Sequence, residues 1–141
     1  MAKALLYRWF GVGKIPAKQL SELQLEGVVI ADEGCKASIT YKNFKAPGQR
    51  FGWKRAWFSG SIVLTRTRLF ASWFSKPAIN VPLSDERLKA MQFQLEDNGL
   101  TVIHDAALFH PDWAGTIEYR YQTELAAQLI ESLQRQLSLE G

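Results

Sequence analysis

The chain has 141 residues, 47% hydrophobic and 22% charged, with one cysteine and a formal net charge of +3. That length suits a single domain whose core needs neither disulfide nor structural metal, and the lone Cys35 excludes an intrachain disulfide and points to a reducing compartment. No window approaches the roughly 18 apolar residues of a membrane-spanning helix, so the chain is read as cytoplasmic.

The charge is segregated along the chain. From Lys36 to Ser84 there are nine basic residues and no acidic ones, while the other 92 residues carry eight basic and fourteen acidic residues, a net of −6. A segregated positive field attracts anionic partners. The opposing expectation is intramolecular, with the acidic flanks folding onto the basic strands and neutralising them.

Arg8 interrupts the apolar run of Met1–Phe10 and no small-residue cleavage site follows, so this segment is read as a lead-in ending at Gly11-Val12-Gly13. Pro16 suits a first helical position, and Leu20 and Leu23 lie one turn apart, which predicts a short helix before Gly27. Residues 1–25 are therefore taken as a lead-in with a short helix, and 26–141 as the domain.

Val28-Val29-Ile30 reads as a buried strand and Asp32-Glu33-Gly34 as a turn. Ile39 and Tyr41 alternate with Ser38, Thr40 and Lys42 as a half-buried strand, and Ala46-Pro47-Gly48 breaks it. Over Arg50–Phe58, alternation sets Trp53, Arg55 and Trp57 on one face and Lys54, Ala56 and Phe58 on the other. Ser59-Gly60 is expected to bulge or bend this strand before Ile62–Thr65.

Arg66-Thr67 predicts a tight turn into Arg68–Phe74, and Pro82 confines the short strand Ile79-Asn80-Val81 to an edge. Met91, Phe93 and Leu95 alternate with polar residues up to Asn98-Gly99, which predicts a two-residue hairpin turn into Leu100–His104. Residues 105–115 read as loop, and Ile117, Tyr119 and Tyr121 mark the last strand. Thr123 is a natural N-cap for a helix running to about Leu137, with Leu125, Leu129, Leu133 and Leu137 forming its core stripe.

The predicted class is α+β: about seven antiparallel strands and one C-terminal amphipathic helix. The segment Gly60–Phe70, with Leu64-Thr65-Arg66-Thr67-Arg68-Leu69 at its centre, resembles the hairpin of bacterial-type PH-like and GRAM-like domains, and the element order from Glu26 to Leu137 resembles theirs. The resemblance implies a bent antiparallel sandwich or barrel capped by the terminal helix. Such folds bind lipids or peptides, so the fold does not name the ligand. The positions of Lys42, Lys45, Arg50, Lys54 and Arg55 do not reproduce the basic pattern of phosphoinositide-binding members.

The expected site is the basic, aromatic strand region: Lys42, Lys45, Arg50, Trp53, Lys54, Arg55, Trp57, Arg66 and Arg68. Cations would engage phosphates or acidic groups, and exposed indoles would enter an interface. The expected partner is a protein or an anionic membrane surface, engaged by a non-catalytic module without cofactor. Single-stranded nucleic-acid binding and homo-oligomeric self-association are the alternatives.

Other constellations carry less. His104-Asp105 and His110-Pro111-Asp112 match no metal-ligand spacing and read as loop histidines. Cys35 with His104 and Asp105 lacks an activating helix N-terminus or nucleophile elbow. Gly11-Val12-Gly13-Lys14 lacks the spacing of a phosphate loop. Trp73-Phe74 and Phe109-Trp113 are possible aromatic anchors, decided by burial.

Overall fold

A computed structural model describes residues 17–140 except 75 and 98; the lead-in over 1–14, Pro16 and Asn98 lie outside the described residues. Helix α1 (Ala17–Glu26) precedes four strands: β1 (Val28–Ala46), β2 (Gln49–Thr65), β3 (Arg68–Trp73) and β4 (Lys76–Pro82). Strands β5 (Gln92–Glu96), β6 (Gly99–Asp105) and β7 (Ala114–Gln122) follow, and helix α2 (Ala126–Glu140) ends the chain. Short 3₁₀ turns occur at Glu86–Ala90 and at Ala106–Leu108, the latter within the stretch read as loop from the sequence.

The seven strands form one antiparallel sheet in the order β4-β3-β2-β1-β7-β6-β5. The expected α+β class is therefore observed, as a sheet that is not closed. Its spine is a long hairpin of β1 (19 residues) and β2 (17 residues) joined at Pro47-Gly48. β3 pairs with β2 only over Ile62–Leu64, and β7 pairs with β1 only over Ala37–Lys45. One half of the hairpin thus carries β3 and β4, and the other carries β7, β6 and β5.

Asp32-Glu33-Gly34 is not a turn between two strands. It is a bulge inside β1, where the register steps between Asp32↔Ile62 and Cys35↔Gly60 and Gly34 takes φ +74°. The β-branched and apolar residues on both sides keep the ladder running, so the local turn signal bends the strand without ending it. The extra residue lies on β1, opposite the Gly60 at which sequence reading places the irregularity on β2.

The bend brings the two halves into contact. Tyr121 Oη–H on β7 donates to the Ser72 carbonyl on β3 at 3.1 Å, and Phe58 meets Tyr121 edge-on with ring centroids 5.7 Å apart. One core joins Ile62, Leu64, Leu69 and Val81 to Leu100, Val102 and Tyr121. Helix α2 adds Ala126, Leu129 and Leu133 to it, as the i+4 stripe predicts. Thr123 starts that helix by accepting from Leu125 N–H, while its own hydroxyl donates to the buried Asp32 carboxylate at 2.7 Å. The β1 bulge therefore also anchors the helix entry.

Helix α1 buries Leu23 against Val63 and Phe70 on the opposite face of the β2–β3 pair. Pro82 ends the edge strand β4, as expected. The β5–β6 turn differs by one residue from the Asn-Gly expectation. Glu96 pairs with Gly99, so the two connecting residues are 97 and 98, and Gly99 is already in the strand. Gly99 is required by close approach, since a Cβ there would lie 1.9 Å from the Tyr121 carbonyl oxygen.

Candidate functional site

Pairing across β2, β1, β7 and β6 sets the side chains opposite the core into rows. They run Trp53–Lys42–Thr116–Asp105, then Arg55–Thr40–Glu118–Ile103, then Trp57–Ser38–Arg120–Thr101. Strand alternation sets Trp53, Arg55 and Trp57 together on this outer face, and the structure shows the other face, with Phe58, to be the core side. Trp53 is 60% and Trp57 67% exposed. The two large indoles are held about 13 Å apart along one strand, with Arg55 between them and most of their surface in water.

At the far end of the hairpin, Asn43 adopts φ +50° and the β1–β7 register steps between Lys42 and Lys45. Beyond that kink Phe44 is buried, stacked with Phe51 at 5.9 Å and edge-on to Trp113 at 5.4 Å. Lys45 pairs across the hairpin with Arg50, and both flank a recess of about 280 Å³ with Asn43, Phe44, Phe51 and Gly52. Lys54 lies 4.4 Å from the Phe51 ring centroid. Among the described residues no carboxylate pairs with Lys45, Arg50 or Lys54, so this end of the hairpin carries unneutralised positive charge.

Lys42 and Arg55 are engaged. Lys42 Nζ lies 3.0 Å from Glu118, which also holds Arg120 at 3.0 Å. Burial alone would push the Glu118 carboxyl up, but hydrogen bonds and charge from Lys42 and Arg120 outweigh it and hold the group below its ordinary value. Arg55 Nε–H donates to Thr40 Oγ1 at 2.8 Å, and its guanidinium packs on Trp53.

Arg66 and Arg68 stand apart from this group, at the β2–β3 turn on the other half of the sheet. Arg68 is bound by Glu26 at 3.1 Å and by Asn80 at 2.7 Å, and the Arg66 side chain runs beside Gly27. The structure therefore places Lys42, Lys45, Arg50, Trp53, Lys54, Arg55 and Trp57 on the hairpin, with Lys54 on the strand face opposite Trp53 and Trp57, and separates them from Arg66 and Arg68. Acidic flanks neutralise Lys42 and Arg68 and leave the hairpin end positive, so each of the two opposing charge expectations holds for part of the basic segment.

Ser38, Glu118 and Arg120 share the same face and were missed by sequence reading. Alternation marks Ser38-Thr40-Lys42 and Thr116-Glu118-Arg120 as single faces, but only the pairing register brings the two faces side by side.

The histidines and the cysteine are not assembled. His104 Nδ1–H donates to the Asp105 carbonyl at 2.8 Å, and its ring is packed among Phe109 and Tyr119. His110 stacks on Trp113 at 3.7 Å. No group of three metal-ligating side chains occurs among the described residues. Cys35 is buried beyond the Ala37–Tyr121–Leu100 row, and His104 lies four residues along β6 from Leu100, about 13 Å at the rise of a strand. Of the aromatic anchors, Phe74 sits against Phe58 and Phe109 beneath Arg87, whereas Trp73 is exposed.

Burial pushes the His104 imidazole below its ordinary value, opposed by its bond to Asp105. The unfolded chain therefore binds a proton that the folded one rejects, so stability is expected to fall as pH drops below 6.5. Thermal unfolding across that window should lose this slope in His104→Phe, and an unchanged slope would assign it elsewhere.

Against protein-family models, curated proteins and solved structures, the chain gives no match. No helix among the described residues is long and apolar enough to cross a membrane.

Proposed function

We propose that this chain is a PH-like, non-catalytic binding module that docks an anionic membrane surface through the outer face and tip of its β1–β2 hairpin. The observation that carries the reading is the pairing of two exposed indoles, Trp53 and Trp57, with the unneutralised cations Lys45, Arg50 and Lys54 on one hairpin. Cations supply long-range attraction to acidic headgroups, and indoles favour the interfacial layer, where an apolar ring and a polar N–H are both accommodated.

The PH-like part of the reading is supported by seven antiparallel strands, the Leu64-Thr65-Arg66-Thr67-Arg68-Leu69 hairpin, and a terminal helix laid against β5, β6 and β1. Carboxylates on the same face, Glu118 and Glu96 among them, disfavour a phosphate backbone running across it, which sets nucleic acid below a surface that only the hairpin end need touch.

Co-sedimentation with phosphatidylcholine vesicles, with and without phosphatidylserine, at low and physiological salt tests the reading. Binding confined to the anionic vesicles and weakened by salt is expected. Absence of binding at either salt would reject the membrane and leave an acidic protein face as the surface with matching chemistry.

A further inference from the structure

A second recess lies on the outer face, toward the opposite end from the hairpin tip. It measures about 250 Å³ and opens between Trp57 on β2 and the β5–β6 turn. Ser38 is among the residues that line it, is 1% exposed, and its Oγ has no hydrogen-bond partner among the described residues. Alternation places the Ser38 side chain on the same face as its cross-strand neighbours Trp57 and Arg120, so the hydroxyl is aimed into the recess. Buried polar groups are nearly always paired, and an orphan of this kind asks for an account.

Arg55 stands one row away and is held from two sides. Its Nε–H is fixed on Thr40 and its guanidinium lies 5.1 Å from the Trp53 ring centroid, while its two terminal nitrogens have no partner among the described residues. A guanidinium immobilised in this way presents a ready fork for a planar oxyanion. Trp57 adds a flat apolar wall. The charged residues lining the recess are Lys36, Arg55 and Arg120 against Glu96 and Asp97, a formal surplus of one positive charge.

The geometry points to a binding site for a small aromatic monocarboxylate, with its carboxylate across the free end of Arg55 and the Ser38 hydroxyl and its ring against Trp57. A monoanion cancels the surplus charge, whereas a phosphate dianion overshoots it beside Glu96, Asp97 and the buried Glu118. The recess is smaller than the roughly 300–1,000 Å³ of drug-sized sites, which limits the ligand to one or two fused rings. The exposed Trp57 and the Arg120 side chain flank Ser38 and are the groups that move as the ligand enters.

This inference does not rest on membrane docking, which uses the cations at the hairpin end. Its test is calorimetric titration of the whole chain with 2-naphthoate, with 2-naphthalenemethanol and inorganic phosphate as comparisons. Naphthoate is expected to bind and the alcohol to bind at least about tenfold more weakly, because a charge-assisted hydrogen bond is lost. Phosphate is expected to bind more weakly than naphthoate. Arg55→Lys keeps the charge but not the fork and is expected to weaken naphthoate about tenfold. Ser38→Ala is expected to weaken naphthoate without lowering the unfolding temperature, since its hydroxyl has no partner among the described residues. The inference is overturned if the alcohol binds as well as naphthoate, if phosphate binds more tightly, or if Arg55→Lys and Ser38→Ala both bind as the unaltered chain does.

Discussion

Gly60→Ala is expected to cost about 3–5 kcal/mol of folding stability, a large fraction of what a domain of this size has. A Cβ at Gly60 would lie 2.1 Å from the Ser72 carbonyl oxygen and 3.1 Å from its carbon, both backbone atoms that no side-chain rotation can remove. That carbonyl also accepts the Tyr121 hydroxyl, and the Ser72 hydroxyl accepts the Ser61 N–H at 2.8 Å. An added methyl therefore separates β3 from β2 at the point where the two halves of the sheet are tied together. Gly52→Ala, in the same strand, meets nothing within 4 Å and is expected to change stability by no more than about 0.5 kcal/mol. Urea unfolding of both variants checks the pair; a Gly60→Ala midpoint close to that of Gly52→Ala would show that the bend is not built on this contact.

Reversing the hairpin cations is expected to have the largest effect on binding. The triple variant Lys45→Glu, Arg50→Glu, Lys54→Glu replaces three positive charges with three negative ones at positions that have no ion pair among the described residues. Each juxtamembrane cation contributes about 1 kcal/mol near an anionic leaflet, so removing three and adding three repulsive charges is expected to reduce vesicle binding at least about a hundredfold. The unfolding midpoint is expected to stay within about 1 kcal/mol of the parent, because surface substitutions away from packed groups change little. Gly52→Glu, which grows a carboxylate beside the Lys45–Arg50 recess without a clash, is expected to weaken binding in the same direction. Binding retained by the triple variant would remove the cations from the account.

The fold was legible where periodicity and local chemistry agree. In the i+4 stripe Leu129 and Leu133 are buried in α2 and Leu137 packs against the core, while Leu125 precedes the helix; alternation correctly sets Trp53 and Trp57 on the face opposite Phe58. It was illegible where a local signal is overridden by pairing. Gly34 reads as a turn residue because it takes a positive φ, yet in a ladder that continues on both sides that conformation makes a bulge. Asn98-Gly99 marks a hairpin correctly, but the close approach of Gly99 to Tyr121 puts the glycine in the strand and moves the turn by one residue.

The site was legible in its composition and not in its assembly. A run of basic and aromatic residues from Lys42 to Arg68 is plain in the sequence, but the bend at Gly60 sends its two ends to different halves of the sheet. Arg68 therefore meets Glu26, 42 positions earlier, while Lys42 meets Glu118. Long-range register of this kind is decided by the core on the other face, and no local window contains it.

The most direct test of the docking account is quenching of tryptophan fluorescence by brominated lipid in anionic vesicles, compared between the unaltered chain and Trp53→Phe/Trp57→Phe. The account predicts that bound protein is quenched and that most of the quenching disappears in the double variant, because these two indoles are the ones that enter the interface. Quenching that is absent from the bound protein, or equal in both proteins, would contradict it.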